Sequence, residues 1–274
     1  MELAGRVALV TGGSRGIGLA IARAFASAGA SVAVCARRDS ELQEGLRSLE
    51  RLADARHVAI VADVSSRAAV ASLVDEVEQA LGPIGVLVNN AGVLGPVGPL
   101  WEVDLDDWEE TFKVHVYGPV ALLQRILPGM IAQGKGSIVN LSGGGATSPR
   151  PRFTAYGASK TALVRLTETL ATELPVTVRV NAIAPGAVNT RMLEDVIHAG
   201  AAAGTRGVAE ARRQVETGGV PPERAAALAL FLASDRSTGL TGRLISAVYD
   251  DWEHLDRRIP EVMAGETYTL RRVV

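Results

Sequence analysis

The sequence predicts an α/β fold in which a doubly wound parallel sheet carries helices on both faces. Apolar runs of strand length alternate with amphipathic segments of helix length along the 274 residues, and such alternation is typical of parallel sheets. A glycine-rich turn joins the first strand to the first helix. Right-handed crossovers make such a sheet doubly wound. Doubly wound sheets bind ligands beyond the carboxyl ends of their strands, and we expect the same here.

Each element follows from its local pattern. Apolar runs predict seven strands at 6–10, 31–36, 57–61, 84–89, 136–141, 176–182 and 242–247. Amphipathic patterns predict helices at 16–28, 39–53, 66–81, 104–131, 155–173, 190–215 and 221–233. Gly200, Gly204 and Gly207 interrupt the helix at 190–215, which is where we expect a lid. We expect a single Rossmann domain over 1–249, with 250–274 as its C-terminal extension; the extension has no eighth strand and either wraps a neighbouring subunit or covers the cleft.

Composition excludes several classes of protein. The net charge is -2 without a basic block, which argues against nucleic acid as a partner. No apolar run is long enough for a membrane span, and the N-terminus does not resemble a signal peptide, so we expect a cytoplasmic protein with no membrane partner. Cys35 is the only cysteine, and we expect it to be buried. The four histidines lack ligand spacing, so we expect no metal site.

The first turn is suited to holding a dinucleotide diphosphate. Glycines let its backbone turn sharply and approach a ligand, and the following helix presents unpaired N–H groups and a partial positive charge. An ordinary strand-to-helix turn is the alternative, because glycine spacing alone is weak evidence. The candidate contacts in this turn are Gly12, Ser14, Arg15, Gly16, Ile17 and Gly18.

The end of the second strand predicts NADP(H) rather than NAD(H). Ala36 stands where an NAD-binding unit usually carries an acid, and Arg37 and Arg38 follow it. A guanidinium can bind a ribose 2′-phosphate, and Arg15 could reach the same group. A solvated strand end is the alternative. Asp63, followed by Val64, is a candidate acceptor for the adenine amino group, an N-cap, or both.

Tyr156 and Lys160 are the candidate reacting pair. They are four residues apart on a predicted helix and therefore share one face. A nearby ammonium is expected to lower the pKa of the phenol, so that Tyr156 can exchange a proton with a substrate oxygen. Lysine is rare here, with three residues in the chain, which favours a selected role for Lys160. An exposed Tyr–Lys pair is the alternative.

With these motifs together, the chain resembles the short-chain dehydrogenase/reductases of the single-domain type from about residue 4 to about residue 247. The matching segments are Thr11-Gly12-x-x-x-Gly16-x-Gly18, Asn89-Asn90-Ala91-Gly92, Tyr156-x-x-x-Lys160 and Pro185-Gly186-x-x-x-Thr190. The resemblance implies cofactor contacts from Asn90, Ala91, Gly92, Tyr156, Lys160, Pro185, Gly186, Val188 and Thr190. It also implies a homotetramer or homodimer joined through helices resembling 104–131 and 155–173.

Two positions depart from the family pattern. His115 stands where the family usually has an asparagine that holds a water for proton relay, and it is either a substitute relay or a packed residue. Gly143 stands where the family has its catalytic serine. Ser142, one residue earlier, could be re-aimed by the following glycines, and we expect it within hydrogen-bond reach of Tyr156, through a bound oxyanion or water. Thr147 and Ser148 are further candidates.

The sequence therefore predicts an NADP(H)-dependent oxidoreductase, a ketoreductase or alcohol dehydrogenase acting on a small carbonyl or alcohol. Catalytic roles are predicted for Tyr156, Lys160, Ser142 and His115. An epimerase or dehydratase without net redox change, and a cofactor-binding protein with little turnover, are the alternatives. Arg150 and Arg152 could meet an anionic group of the substrate or be solvated loop residues.

Overall fold

The computed structural model describes residues 1–52 and 55–272, and its seven strands form one parallel sheet. The strands are Val7–Thr11 (β1), Ser31–Ala36 (β2), His57–Val61 (β3), Ile84–Asn89 (β4), Gly136–Leu141 (β5), Val178–Ala184 (β6) and Leu244–Ser246 (β7). Their order is β3-β2-β1-β4-β5-β6-β7, and every pair is parallel. This confirms the predicted doubly wound sheet.

The helices follow the predicted order, with one additional short helix in the C-terminal extension, where the sequence predicted none. They are Gly16–Ser27 (α1), Asp39–Glu50 (α2), Arg67–Leu81 (α3), Leu105–Phe112 (α4), Gly118–Gln133 (α5), Thr154–Glu173 (α6), Arg191–Ala199 (α7), Gly204–Glu216 (α8), Pro222–Ala233 (α9) and Ile259–Ala264 (α10). The predicted helix 104–131 is divided by a π-helical segment at Lys113–Tyr117, and 190–215 is divided by a 3-10 turn at Gly200–Ala203. The last residue predicted for the second helix, 53, lies outside the described residues.

Helices cover both faces of the sheet because its strands are apolar on both sides. On one face Phe25 of α1 and Phe231 of α9 pack in a cluster that includes Val10 of β1. On the other face Leu73 of α3 and Ile126 of α5 pack in a second cluster. A strand buried on two faces forms a continuous apolar run, which is why these strands could be predicted from the sequence.

The sheet reverses its direction of winding between β1 and β4, and polar side chains join the two strands there. The Thr11 hydroxyl donates to the carbonyl of Val88 at 3.2 Å and accepts from the backbone N–H groups of Asn90 and Ala91, each at 3.0 Å. The Asn90 side-chain amide donates to the carbonyls of Thr11 at 2.8 Å and Gly12 at 3.1 Å. The glycine turn is therefore attached to the end of β4.

The outer edge of β7 is occupied by the chain itself. The backbone N–H of Leu244 donates to the carbonyl of Tyr268 at 2.8 Å, and that of Ser246 donates to the Asp250 carboxylate at 2.7 Å. The backbone N–H of Leu270 donates to the buried carboxylate of Glu168 on α6 at 2.6 Å. The extension is thus attached to both the sheet and α6.

The C-terminal extension packs mainly on its own domain. Trp252, Leu255, Ile259 and Val262 are buried in the first core cluster with α1 and α9. Asp250 lines the cleft, but no described residue after it does, so the extension does not cover the cleft. Contact of the extension with a neighbouring subunit stays a prediction from the sequence. No helix in the described ranges has the length and hydrophobicity to cross a bilayer.

Candidate active site

A cleft of about 1770 Å³ lies beyond the carboxyl ends of the strands. All of the predicted cofactor contacts line it, together with Ser142, whereas His115 lies behind its wall. The predicted contacts are Gly12, Ser14, Arg15, Gly16, Ile17, Gly18, Arg37, Arg38, Asp63, Val64, Asn90, Ala91, Gly92, Tyr156, Lys160, Pro185, Gly186, Val188 and Thr190. Among the residues that the structure describes, no group of histidine, cysteine and carboxylate side chains could hold a metal ion.

The glycine turn has the shape that a diphosphate requires. Gly16 has φ +55°, and a Cβ at Gly18 would lie 2.3 Å from the carbonyl oxygen of Gly12. Helix α1 has no side-chain cap at Arg15, so the first N–H groups of the helix are open to a ligand. The Thr190 methyl group is 3.6 Å from where a Gly16 Cβ would stand. The turn therefore fits a dinucleotide, with Thr190 beside it.

The end of the cleft beside β2 contains an acid that the sequence reasoning missed. The Glu41 carboxylate, on the first turn of α2, forms ion pairs with Arg38 at 2.7 Å, Arg191 at 3.4 Å and Arg15 at 3.5 Å. Burial raises the pKa of Glu41, but the three guanidinium groups lower it on balance. Arg37 is exposed and forms no ion pair with any described residue. Glu41 lies three residues beyond Arg38, which is the spacing of neighbours on a helix. The ion pair between them could therefore have been predicted from the sequence.

Asp63 stabilises the loop after β3 without capping the next helix. Its carboxylate accepts from the backbone N–H of Ser65 at 2.9 Å and from the Ser65 hydroxyl at 2.8 Å. The N-cap of α3 is Ser66, whose hydroxyl accepts from the backbone N–H of Ala69. The N-cap alternative for Asp63 is therefore wrong, because Ser66 caps the helix instead.

Tyr156 and Lys160 lie together on α6 at the base of the cleft. Lys160 Nζ donates to the carbonyl of Leu141 at 2.8 Å and lies 5.8 Å from the centroid of the Tyr156 ring. Burial lowers the pKa of Lys160 to about 8. We expected Lys160 to lower the pKa of Tyr156; instead burial raises it, and the positive charge of Arg150 opposes that rise. Desolvation of the phenolate outweighs the neighbouring charges in this arrangement.

Gly143 leaves room for the tyrosine hydroxyl. A Cβ at this position would lie 2.4 Å from Tyr156 Oη, so the hydroxyl occupies the space that a longer residue would need. The neighbouring Ser142 Oγ is buried and forms no hydrogen bond with any described residue, Tyr156 included. The backbone N–H of Ser142 continues the sheet by donating to Ile183 at 2.9 Å. Ser142 thus lines the cleft, and its hydroxyl has no hydrogen-bond partner among the described residues.

His115 has no ring nitrogen free for a water. The backbone N–H of Val93 donates to Nε2 at 3.0 Å, so the proton is assigned to Nδ1, which donates to the Ser159 hydroxyl at 2.8 Å. That hydroxyl donates to the carbonyl of Tyr156 at 2.9 Å. The expected water-holding role is therefore wrong, because protein groups occupy both nitrogens.

His115 also packs against the ring of Tyr156. The His115 and Tyr156 rings meet edge to face, with centroids 5.6 Å apart and planes at 84°. Burial and the positive charge of Lys160 keep the pKa of His115 well below its usual range, which favours the neutral ring. His115 lies in the π-helical segment, and Ser159 was missed by the sequence reasoning although it follows Tyr156 by three residues.

The sequence profile described as short chain dehydrogenase matches residues 6–200. The chain belongs to the short-chain dehydrogenase family. A short chain dehydrogenase of Pseudocercospora fijiensis is 40% identical over 194 residues, which are 70% of this chain and 62% of that protein. The 3-oxoacyl-[acyl-carrier-protein] reductase FabG of Thermotoga maritima is 34% identical over 252 residues, 89% of this chain and 97% of that protein.

Solved structures agree with the family assignment. An NAD+-bound xylitol dehydrogenase superimposes with a TM-score of 0.82 at 30% identity, covering 90% of this chain and 98% of that one. A putative NAD(P)-dependent gluconate 5-dehydrogenase of Beutenbergia cavernae, with bound NADP, gives 0.79 at 34% identity, covering 90% and 96%. As a short-chain dehydrogenase, the protein is an oxidoreductase that acts on CH–OH or C=O groups with NAD(P).

Because the ammonium group of Lys160 is buried, we expect the free energy of unfolding to rise with pH in the alkaline range. Below about pH 8 Lys160 is charged in both states; between about 8 and 10.5 the unfolded state binds more protons, so stability rises with pH. As pH rises through this window, the free energy of unfolding of the unmodified protein should increase by up to roughly 3 kcal/mol relative to that of Lys160→Met. Urea unfolding without cofactor at about pH 7.5 and pH 10 measures the difference. The exposed Lys113→Met is the control; parallel profiles for unmodified protein and Lys160→Met would contradict the assignment.

Proposed function

We propose that this protein is an NADP(H)-dependent reductase of ketones, or in reverse a dehydrogenase of secondary alcohols, with Tyr156 as the acid and base. One observation carries this proposal. The Tyr156 hydroxyl and the Lys160 ammonium lie at the base of the same cleft that contains the uncapped start of α1. Fold alone would not support an activity, whereas a titratable pair beside a dinucleotide-shaped turn does.

The roles divide between the two ends of the cleft. The glycine turn, Asn90 and Thr190 would hold the dinucleotide, which when bound supplies or accepts the hydride. Tyr156 gives a proton to the carbonyl oxygen during reduction and removes it during oxidation. Lys160 contributes positive charge below the phenol, and its hydrogen bond to Leu141 holds it there.

Ser142 is the proposed donor to the substrate oxygen. Its hydroxyl lines the cleft, is buried and has no partner among the described residues. An unpaired buried hydroxyl is costly, so a substrate carbonyl that accepts its hydrogen bond gains affinity. Thr147 and Ser148 line the same loop but are exposed to solvent.

The preference for NADP(H) rests on the guanidinium groups around the adenosine end. Arg37 is exposed in the cleft without an acidic partner, and Ala36 carries no carboxylate to repel a phosphate. Arg15 and Arg38 are nearby, although each is paired with Glu41. We therefore assign the main contact with the 2′-phosphate to Arg37, and assistance to Arg15 and Arg38.

The competing functions receive less support. A non-redox epimerase or dehydratase needs a second proton carrier, and His115 was the candidate, but its two nitrogens are hydrogen-bonded to protein groups. A protein with little turnover is the expectation if Ser142 and Tyr156 do not act together. Location in the cytoplasm and assembly as a homotetramer or homodimer stay predictions from the sequence.

Replacement of Tyr156 by phenylalanine tests the acid and base directly. Tyr156→Phe keeps the buried ring but removes the proton, so NADPH consumption with a panel of ketones should fall about 10²–10⁴-fold. NADPH binding, followed by cofactor fluorescence, should be unchanged. Tyr117→Phe, at an exposed position outside the cleft, is the control. A Tyr156→Phe enzyme that keeps most of its turnover would place the acid elsewhere.

Replacement of Ser142 by alanine tests the proposed donor. Loss of a hydrogen bond made in the transition state should lower kcat for ketone reduction about 10²–10³-fold. Thr147→Ala, which removes an exposed hydroxyl from the same loop, is the matched comparison and should be mild. Steady-state kinetics of both variants decide the matter, and two equally mild effects would remove Ser142 from the mechanism.

Charge reversal at Arg37 tests the cofactor preference. The unmodified protein should bind NADPH more tightly than NADH, and Arg37→Asp should reverse that order by repelling the 2′-phosphate. A change of at least about tenfold in the ratio of the two dissociation constants is expected. Arg47→Asp, an exposed charge reversal on α2 outside the cleft, should leave the ratio unchanged. Equal affinities in the unmodified protein would contradict the preference.

A further inference from the structure

Most of the arginines that line the cleft already have partners. Arg15, Arg38 and Arg191 pair with Glu41, Arg206 pairs with Glu210, and Arg152 donates to the carbonyl of Ala202. Among the described residues that line the cleft, Arg37 and Arg150 are the arginines whose guanidinium groups form no ion pair or hydrogen bond with the protein. Arg37 lies at the adenosine end, which leaves Arg150 without an assigned partner.

Arg150 is held close to the reacting tyrosine. Its Cζ atom lies 4.2 Å from the centroid of the Phe153 ring and 5.5 Å from that of Tyr156. Its side chain also passes within 3.5–3.9 Å of the position that a Cβ at Gly145 would take. Cation–π contacts with two rings restrict where the guanidinium can move. The charge is therefore positioned six residues before Tyr156 rather than free in solvent.

Stacking on aromatic rings stabilises the face of a guanidinium group but leaves the N–H donors along its edge without acceptors. The five N–H donors lie in the plane of the group, and a carboxylate or phosphate can accept two of them in parallel. Arg150 is half-buried, so part of its hydration is lost without compensation from the protein. An oxyanion entering the cleft would supply the missing acceptor.

The surroundings of Arg150 indicate what else the ligand carries. Leu94, Phe153, Tyr156, Val196 and Ala203 form an apolar cluster on this side of the cleft. Glu194 and Asp195 also line the cleft, but neither lies within 4.0 Å of the Arg150 guanidinium, so they do not neutralise it by a direct ion pair. A compact apolar body with one oxyanion group matches these walls.

We propose that Arg150 determines substrate class by binding an oxyanion group, carboxylate or phosphate, on a ketone or secondary alcohol with a compact apolar body. This inference rests on the proposed oxidoreductase function, since it places the bound anion beside Tyr156. A contact of this kind changes affinity about 10-fold to 100-fold, because hydrogen bonds to charged groups are stronger than those to neutral ones.

Binding is tested first, with ligands that cannot be reduced. Calorimetry compares cyclohexanecarboxylate, cyclohexyl phosphate and the neutral cyclohexanecarboxamide on the protein with bound NADP+. At least one anion should bind about tenfold more tightly than the amide, and Arg150→Met should abolish that difference. The tighter anion identifies carboxylate or phosphate as the group that Arg150 selects. Equal binding of all three ligands to the unmodified protein would overturn the proposal.

Turnover is tested next, with 4-oxocyclohexanecarboxylate and its methyl ester as substrates. Arg150→Met should lower kcat/KM for the acid at least about tenfold relative to the ester, and Arg150→Lys should restore part of the difference. Arg206→Met removes an exposed cleft charge that is already paired with Glu210, and it should leave the ratio unchanged. If the tighter anion is the phosphate, 4-oxocyclohexyl phosphate replaces the acid.

The outcomes separate this inference from the function on which it rests. Equal losses for acid and ester in Arg150→Met indicate that Arg150 only supports the loop, and they overturn the proposal. Reduction of neutral ketones without selective anion binding overturns the role of Arg150 and leaves the oxidoreductase function intact. Selective anion binding that depends on Arg150, without turnover of any ketone, supports the anion site and contradicts the proposed function.

Discussion

The attachment of the glycine turn to the end of β4 is the contact on which the cleft depends. At the point where the sheet reverses its winding, two neighbouring strands send their chains to opposite faces, and a gap opens between them. Thr11 and Asn90 bridge that gap with side-chain hydrogen bonds to backbone groups. The peptide groups left unpaired by the divergence are thereby satisfied, and the turn keeps its distance from the strand end.

The His115 network joins the backbone of Tyr156 to the segment that contains Val93. Each hydrogen bond runs in one direction, from the Val93 amide to the carbonyl of Tyr156, so the tautomer of the imidazole is determined by its neighbours. Protonating the ring would break the bond from Val93 and bury a second charge near Lys160. These contacts favour a neutral His115 ring that packs against Tyr156.

Sequence patterns predicted most of the fold and the outline of the site. Buried parallel strands are short apolar runs, and the glycine turn is local, so both are visible in a few consecutive residues. The hydrogen bonds of His115 with Val93 and Ser159 join segments that are far apart in the sequence, so residue spacing within one segment could not predict them. The pairing of Glu41 with Arg191, 150 residues away, has the same origin.

At Gly143 the sequence pattern could not predict how the space left by the missing side chain is filled. The pattern identified a missing side chain, and its absence suggested that a neighbour must replace the lost group. The structure shows that the empty space is taken by the hydroxyl of Tyr156 itself, since a Cβ at position 143 would lie 2.4 Å from that oxygen. Substitutions at catalytic positions change the room available to the remaining groups as well as the list of donors.

The covered edge of β7 bears on how copies of the chain can meet. An edge strand with free N–H groups is a template for adding another strand, and sheets can continue from one subunit into the next in that way. Here Tyr268 and the Asp250 carboxylate accept from the outward N–H groups of Leu244 and Ser246. A second copy could therefore extend this sheet at β7 only after displacing both acceptors.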